Sequence, residues 1–125
     1  MLKLAMRLLV GLAVVLSLGS AVNAAQPYDE KSFNEAQAAG KTVLINVTAP
    51  WCPTCKKQEP VIRAIEKERP NLVVYEVDFD TAKDLLQRLQ VRAQSTLIVW
   101  GPKEVARSIA ETDPRRLRAL IAKGF

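Results

Sequence analysis

The 125-residue sequence contains no histidine. Histidine is the commonest metal-ligating side chain and the usual base in Ser/His triads and Cys/His nucleophile pairs, so most ordinary sites of these kinds are excluded. Basic residues are scattered, because no run of Lys or Arg exceeds two residues and the formal net charge is only +5. The composition gives little support for nucleic-acid binding, and we expect no nucleic-acid partner.

Cysteine is scarce: the chain has two, Cys52 and Cys55, three residues apart. As a structural crosslink they would close a very short loop, which constrains the unfolded chain little. Two thiolates without histidine cannot complete a tetrahedral zinc site in one chain, although they could hold Cu(I). The pair is therefore predicted to be redox-active rather than a metal site, with a Cu(I)-binding module as the alternative.

One long apolar run is present, and it lies near the N-terminus. It covers residues 8–18 and follows the basic residues Lys3 and Arg7. A positive segment, an apolar run and small residues at the end are typical of a secretory signal peptide. The small residues predict cleavage after Ala24.

Cleavage at this point divides the chain into a signal peptide, residues 1–24, and a single domain, residues 25–125. The alternative is an uncleaved membrane anchor, but the apolar stretch of residues 8–22 is shorter than the roughly 20 residues of a membrane span. Export would place the domain in the periplasm or another oxidising compartment, where disulfides persist.

The hydrophobic pattern after the signal peptide alternates between helices and strands, which indicates an α/β fold. Helices are predicted over residues 29–39, 52–69, 81–89 and 114–122, and strands over 43–47, 72–79, 96–100 and 105–109. Thr81 and Asp113 are predicted to cap helices. Pro60 is expected to kink the second helix, and Glu66 is expected to face solvent. Residues 25–28 are predicted to be a loose N-terminal segment.

Cys52 lies at the first turn of the second predicted helix. Unpaired backbone N–H groups and the helix dipole favour a negative charge there, and so they favour a thiolate. Lys56 and Lys57 add positive potential one turn later. Cys52 is therefore predicted to be the exposed nucleophile, and Cys55 the buried resolving thiol.

Three stretches of the sequence occur in a recognisable order. Trp51-Cys52-Pro53-Thr54-Cys55 follows an apolar strand and begins a helix, Pro60 lies inside that helix, and Gln94-Ser95-Thr96-Leu97 leads into a later strand. This combination resembles the thioredoxin-like superfamily over about residues 29–122. The resemblance implies a thioredoxin fold, with a central four-stranded mixed sheet flanked by helices on both faces. It also implies a thiol–disulfide oxidoreductase with no cofactor beyond its redox-active disulfide.

The sequence departs from the family at its substrate-binding loop. Ser95 stands where the family usually has a cis-proline that shapes the loop for an extended substrate segment. A cis bond before a residue other than proline costs about 2.5–4 kcal/mol, so the Gln94–Ser95 bond is expected to be trans. The resemblance implies that Gln94, Ser95 and Thr96 bind substrate. Ser95 could keep the loop with a different peptide geometry, or it could offer its hydroxyl to the Cys52 sulfur. Ala110 or its neighbour replaces a glycine that usually lines the groove.

A second departure concerns proton transfer. Asn46 stands where the family often has a buried acid that accepts the proton of the resolving thiol. The neighbouring strand carries Glu76, and strand alternation puts Glu76 on the less apolar face with Val74. If that face lies beneath the active-site helix, a buried Glu76 could accept the proton of Cys55, with Asn46 as its hydrogen-bond partner. The alternative is a solvated Glu76, and both interpretations stay open.

The dipeptide between the cysteines bears on the direction of electron flow. Pro53 and Thr54 resemble the CPTC centre of reductases in cytochrome c maturation, and Trp51 resembles the shield over such a pair. The resemblance implies a monomeric reductant that acts on exported protein thiols and disulfides. A transmembrane thiol electron carrier would keep it reduced. A periplasmic oxidant is the alternative.

Overall fold

The structure, a computed structural model, describes residues 24–125. In chain order its elements are β1 (Gln26–Pro27), α1 (Glu30–Ala38), β2 (Thr42–Thr48), α2 (Pro53–Glu68), β3 (Leu72–Asp78), α3 (Lys83–Arg88), β4 (Thr96–Trp100), β5 (Glu104–Ile109) and α4 (Pro114–Ala122). The strands form one sheet in the order β1-β3-β2-β4-β5. The first three of these are parallel, whereas β4 is antiparallel to β2 and β5 is antiparallel to β4. The predicted α/β fold with a mixed sheet is confirmed.

Two apolar cores lie on opposite faces of the sheet, because side chains alternate along each strand. Val43, Ile45 and Val47 of β2 face one core, to which α1 contributes Ala36 and α3 contributes Leu86. The other core joins Leu44 of β2 to residues of α2 and α4, namely Ile62, Ile65, Leu117 and Ile121. The predicted arrangement of helices on both faces is therefore confirmed.

The described part of the chain has five strands in its sheet rather than the four predicted. The additional strand, β1, is formed by two residues of the segment predicted to be loose. Gln26 lies opposite Tyr75 and Pro27 lies opposite Glu76, and the N–H of Tyr28 donates to the Glu76 carbonyl at 2.9 Å. Two residues are too few to show a periodicity. The strand forms because the outer edge of β3 offers backbone groups that need partners.

The helix α4 begins and ends where the sequence predicts. Asp113 is its N-cap, and the Asp113 carboxylate accepts the N–H groups of Arg115 and Arg116, both at 3.0 Å. Pro60 lies inside α2, which continues to Glu68. The kink at Pro60 stays a prediction.

The prediction that Thr81 caps α3 is wrong. The helix begins at Lys83, and its N-cap residue, Ala82, has no side-chain acceptor. Asp78 holds the preceding turn instead, because its Oδ1 accepts the N–H of Asp80 at 2.7 Å and the N–H of Thr81 at 3.2 Å.

The predicted signal peptide lies outside the described residues, apart from its last residue, Ala24. Within residues 24–125, none of the helices combines the length and the apolar character needed to cross a membrane.

Candidate redox site

Cys52 and Cys55 are joined by a disulfide at the start of α2, with their Cα atoms 5.3 Å apart. Cys52 is the N-cap residue, and Pro53 takes the first helical position, where its missing N–H removes no helical hydrogen bond. The Cys52 Sγ accepts the N–H of Cys55 at 3.1 Å, and the N–H of Cys52 donates to the Ala49 carbonyl at 3.2 Å. The sulfur of Cys52 thus lies at the helix terminus, as predicted.

Both cysteines are buried in this oxidised form. Cys52 is 0% exposed and Cys55 is 6% exposed, so the expectation of an exposed Cys52 is wrong for the disulfide state. The cap geometry explains the burial, because it turns the Cys52 side chain towards the N–H of Cys55. Ala49 and Phe79 then pack around the disulfide as a small apolar cluster.

Trp51, the predicted shield, is exposed, with 53% of its surface accessible. Its indole Nε1–H donates to Asp80 Oδ2 at 2.8 Å. Asp80 was not identified from the sequence. The available signal was topological: Trp51 follows β2 and Asp80 follows β3, and the carboxyl ends of neighbouring parallel strands meet at one edge of a sheet.

A cavity of about 580 Å³ borders Cys55. Part of its polar lining comes from α2, through Lys56 and Glu59, and part comes from the strands, through Asn46 and Glu76. The residues on which proton transfer was predicted to depend therefore share one space with the predicted resolving thiol.

Glu76 lies opposite Asn46 in the sheet, on the face where Val74 packs against α2 and α4. Its placement on the face beneath the active-site helix agrees with the prediction. Its side chain is exposed, however, so the interpretation as a buried proton acceptor is wrong. Asn46 is 8% exposed, and its Oδ1 has no hydrogen-bond partner among the described residues. Nor do residues 24–125 form a side-chain hydrogen bond between Asn46 and Glu76, whose carboxylate could accept only from the Asn46 Nδ2.

A different acid, Glu66 of α2, is buried. It is 8% exposed, and its Oε1 has no hydrogen-bond partner within residues 24–125. Burial raises the pKa of the Glu66 carboxyl, the nearby charge of Glu76 raises it further, and Arg63 lowers it. The prediction that Glu66 faces solvent is wrong. The available signal was its position one turn after Ile62 and directly after Ile65, both of which are buried.

The loop before β4 has no proline and is held by backbone and side-chain hydrogen bonds. The Gln94–Ser95 bond is trans, as predicted, and Ser95 has a φ of 59°. The N–H of Ser95 donates to the Val47 carbonyl at 2.8 Å, a bond that a proline cannot make. The Ser95 hydroxyl donates to the Gln94 carbonyl at 2.5 Å rather than to the active-site sulfur. Thr96 is buried, and its hydroxyl donates to the Ala93 carbonyl at 2.8 Å.

Gln58, which was not identified from the sequence, joins this loop to the segment after β5. It is fully buried, and its Nε2 donates to the Ser95 carbonyl at 3.3 Å and to the Glu111 carbonyl at 2.9 Å. Ala110, also with a φ of 59°, donates its N–H to the same Ser95 carbonyl at 3.1 Å. The predicted groove residues Ser95 and Ala110 are therefore in direct contact.

Comparison with known proteins gives consistent matches. The family model for thioredoxin matches residues 24–123. A thioredoxin of Chlamydia trachomatis is 34% identical over 99 residues, which covers 78% of this chain and 96% of that protein. Thioredoxin-1 of Saccharomyces cerevisiae is 32% identical over 91 residues, which covers 72% and 87% of the two chains. The crystal structure of Trxlp from Edwardsiella tarda superposes with a TM-score of 0.75 and 42% identity, covering 78% of this chain and 98% of that one.

The matched range contains every strand and helix described above, and it contains the Cys52–Cys55 disulfide at the start of α2. The fold and the redox pair thus agree with the sequence relationship. The chain therefore belongs to the thioredoxin family and is a thiol–disulfide oxidoreductase.

Proposed function

We propose that this protein reduces disulfides of exported proteins, with Cys52 as the nucleophile and Cys55 as the resolving thiol. The observation that carries the proposal is the position of the Cys52 sulfur at the N-terminus of α2, where it accepts a backbone N–H at 3.1 Å. A hydrogen bond to the sulfur and the positive end of the helix dipole both stabilise a thiolate relative to a thiol. The resemblance of Pro53-Thr54 to reductase centres supports the reducing direction.

The proposed reaction has two exchange steps. The Cys52 thiolate attacks one sulfur of the substrate disulfide, forms a mixed disulfide, and releases the other substrate sulfur as a thiolate. The Cys55 thiolate then attacks the Cys52 sulfur, which forms the intramolecular disulfide and releases the second substrate thiolate. Two electrons pass from the cysteine pair to the substrate. An exported protein then needs a donor of two electrons, and a transmembrane thiol carrier is the class of donor that we propose.

The reduction potential of the Cys52–Cys55 couple tests the direction of electron flow. The oxidised and reduced forms are to be equilibrated with glutathione buffers and quantified by alkylation and mass spectrometry. A reductant should have a potential at or below about −200 mV, whereas a strong oxidant lies near about −120 mV. A potential in the oxidant range would overturn the proposal.

Single-cysteine variants test the roles of the two thiols in a separate experiment. Cys55→Ser should accumulate mixed disulfides with an oxidised exported protein, because the resolving thiol is missing. Cys52→Ser should not, since Cys55 lies inside the first turn of α2 and not at its cap. Non-reducing electrophoresis measures the adducts. Equal trapping by both variants would contradict the assignment.

A further inference from the structure

Gln58 is a polar residue of α2 and is fully buried, whereas most of the other buried residues of this helix are apolar. It lies one turn after Cys55 on the same helix. A buried amide is costly unless it is hydrogen-bonded, so its contacts point to its role. Both of its donor contacts are to main-chain carbonyls outside α2, those of Ser95 and Glu111.

These two carbonyls belong to the segments at one end of the β4–β5 pair. Ser95 directly precedes β4 and Glu111 follows β5, and the strands are in register with Thr96 opposite Ile109. Ser95 and Ala110 at this end both have a φ of 59°, a conformation that favours glycine. Such residues persist only where surrounding contacts hold them. The Ser95 carbonyl receives two of those contacts, from Gln58 and from the N–H of Ala110.

The orientation of the Gln58 amide follows from its neighbours. Both neighbours are carbonyl oxygens, which only the NH2 group can satisfy, so a flipped amide would place oxygen against oxygen. The Gln58 Oε1 has no hydrogen-bond partner among residues 24–125 although it is buried. Within residues 24–125 the side-chain hydrogen bonds of Gln58 thus all go to these two segments.

We propose that Gln58, one helical turn from Cys55, is a positioning residue that fixes the Ser95 and Glu111 segments for an extended polypeptide substrate. This inference rests on the proposed function. A small disulfide needs only access to the sulfur, whereas a polypeptide also lies along the flanking segments. Gln58 therefore sets the preference for protein disulfides over small disulfides and has no part in the exchange chemistry. With Ser95 in place of a proline, the side-chain amide replaces the restraint that a ring would give.

The test compares two disulfides in one set of variants. Gln58→Met keeps the length of the side chain and removes both donors. We expect its kcat/KM for insulin disulfides to fall about tenfold, mainly through KM, since two hydrogen bonds to the loops are lost. Its rate with the small disulfide 5,5′-dithiobis(2-nitrobenzoate) and its equilibrium with glutathione should stay within about twofold, because the sulfur environment is unchanged. Ile65→Val is the matched control on the same helix and should leave the ratio of the two rates unchanged.

Two further measurements separate positioning from a purely structural role. Hydrogen exchange at the Ala110 amide, which donates to the Ser95 carbonyl, should be about tenfold faster in Gln58→Met. Adding Ala110→Gly should recover at least about threefold of the lost insulin activity, because glycine adopts a φ of 59° without strain. If Gln58→Met does not fold, Gln58→Leu serves, since its side chain has no donor and places no charge in the buried site.

Three results would overturn the inference. The first two are an equal loss of activity of Gln58→Met with both disulfides and an unchanged activity of Gln58→Met with insulin. The third is the same difference between the two disulfides in Ile65→Val. The ratio of the two rates can be measured for reduction or for oxidation. A reduction potential in the oxidant range would therefore overturn the proposed function. The positioning role of Gln58 would still be tested by the ratio of the two rates.

Discussion

Glu66 and Glu68 both lie on α2, but the carboxylate of Glu66 is buried, whereas that of Glu68 is at the surface. Glu66 is buried without a partner for its Oε1 among the described residues. Glu68 is at the surface and accepts hydrogen bonds from Arg118, the shortest of 2.7 Å. Burial raises the pKa of Glu66, whereas the hydrogen bonds from Arg118 lower the pKa of Glu68. The two residues should therefore affect folding with opposite dependence on pH.

Glu66→Gln should stabilise the protein at neutral pH. The pKa of Glu66 is higher in the folded state than in the unfolded state, so its contribution to stability falls as the pH rises through the folded value. Removing the buried charge should raise the free energy of unfolding at about pH 7.5 on the order of 1 kcal/mol. The gain should disappear below the unfolded pKa, where both states hold the proton. Urea unfolding at about pH 3.5 and about pH 7.5 measures the difference.

Glu68→Gln is the matched control for this pH dependence. Its pKa is lowered in the folded state, so its contribution is present above the unfolded pKa and is lost as the pH falls through the folded value. The substitution should therefore destabilise slightly at neutral pH and have no effect in acid. A Glu66→Gln protein that is equally destabilised at both pH values would show that the buried carboxylate does not carry an uncompensated charge.

The residues of the site that the sequence could predict are those whose partners are local or fixed by strand alternation. Cys52 and Cys55 meet within one helical turn, and Asn46 and Glu76 lie opposite each other on adjacent strands. The exposure of Glu76 was not predictable, because it depends on how α2 covers the sheet. Gln58 and its Ser95 partner are 37 residues apart in the chain, so no local pattern reveals their contact.

At the scale of the elements, the bounds of a helix or strand are best predicted from the sequence where a capping residue or a continuous apolar run marks them. α4 matches its predicted bounds because Asp113 and Pro114 are a cap and a first-turn proline next to each other. β1 was not predicted, because a strand of two residues is too short to show an alternation of apolar and polar side chains. The start of α3 was missed because Asp78 satisfies the backbone of Thr81, so the Thr81 side chain is not needed as a cap.

Asp113 gives a prediction at this scale. Asp113→Ala removes the acceptor for the N–H groups of Arg115 and Arg116 and should lower Tm by about 4–8 °C, the effect of a lost cap in a domain of this size. The N–H groups of Arg116 and Arg115 lower the pKa of the Asp113 carboxyl, so the loss should be present at neutral pH and shrink in acid. Calorimetry at two pH values measures it.

Asp113→Asn is the control for the cap. Its amide oxygen can still accept from the same N–H groups, so Tm at neutral pH should lie between the values for the wild type and Asp113→Ala. The pH dependence specific to this position should vanish, because asparagine does not titrate. Identical Tm values for Asp113→Ala and the wild type would show that α4 does not need its cap.

At the scale of the whole molecule, the redox site is assembled at one edge of the sheet. β2 ends just before the motif, β3 ends just before Asp80, and β4 begins just after Ser95. Because β4 is antiparallel to β2, its first residues lie beside the last residues of β2. The site therefore depends on the order of strands, and the family relationship predicts that order better than any local signal does.

The segment before β1 gives the last prediction, which concerns the whole chain. β1 begins at Gln26, and Ala25 packs against the core beneath α2 and α4, so cleavage after Ala24 would leave every described strand and helix intact. We expect the protein recovered from the exported fraction to begin at Ala25, as measured by intact mass and N-terminal sequencing. Ala24→Phe should block cleavage, because the site needs a small residue at this position. A mature protein that retains the first 24 residues, or one found in the cytoplasm, would show that the N-terminal segment is not a cleaved export signal.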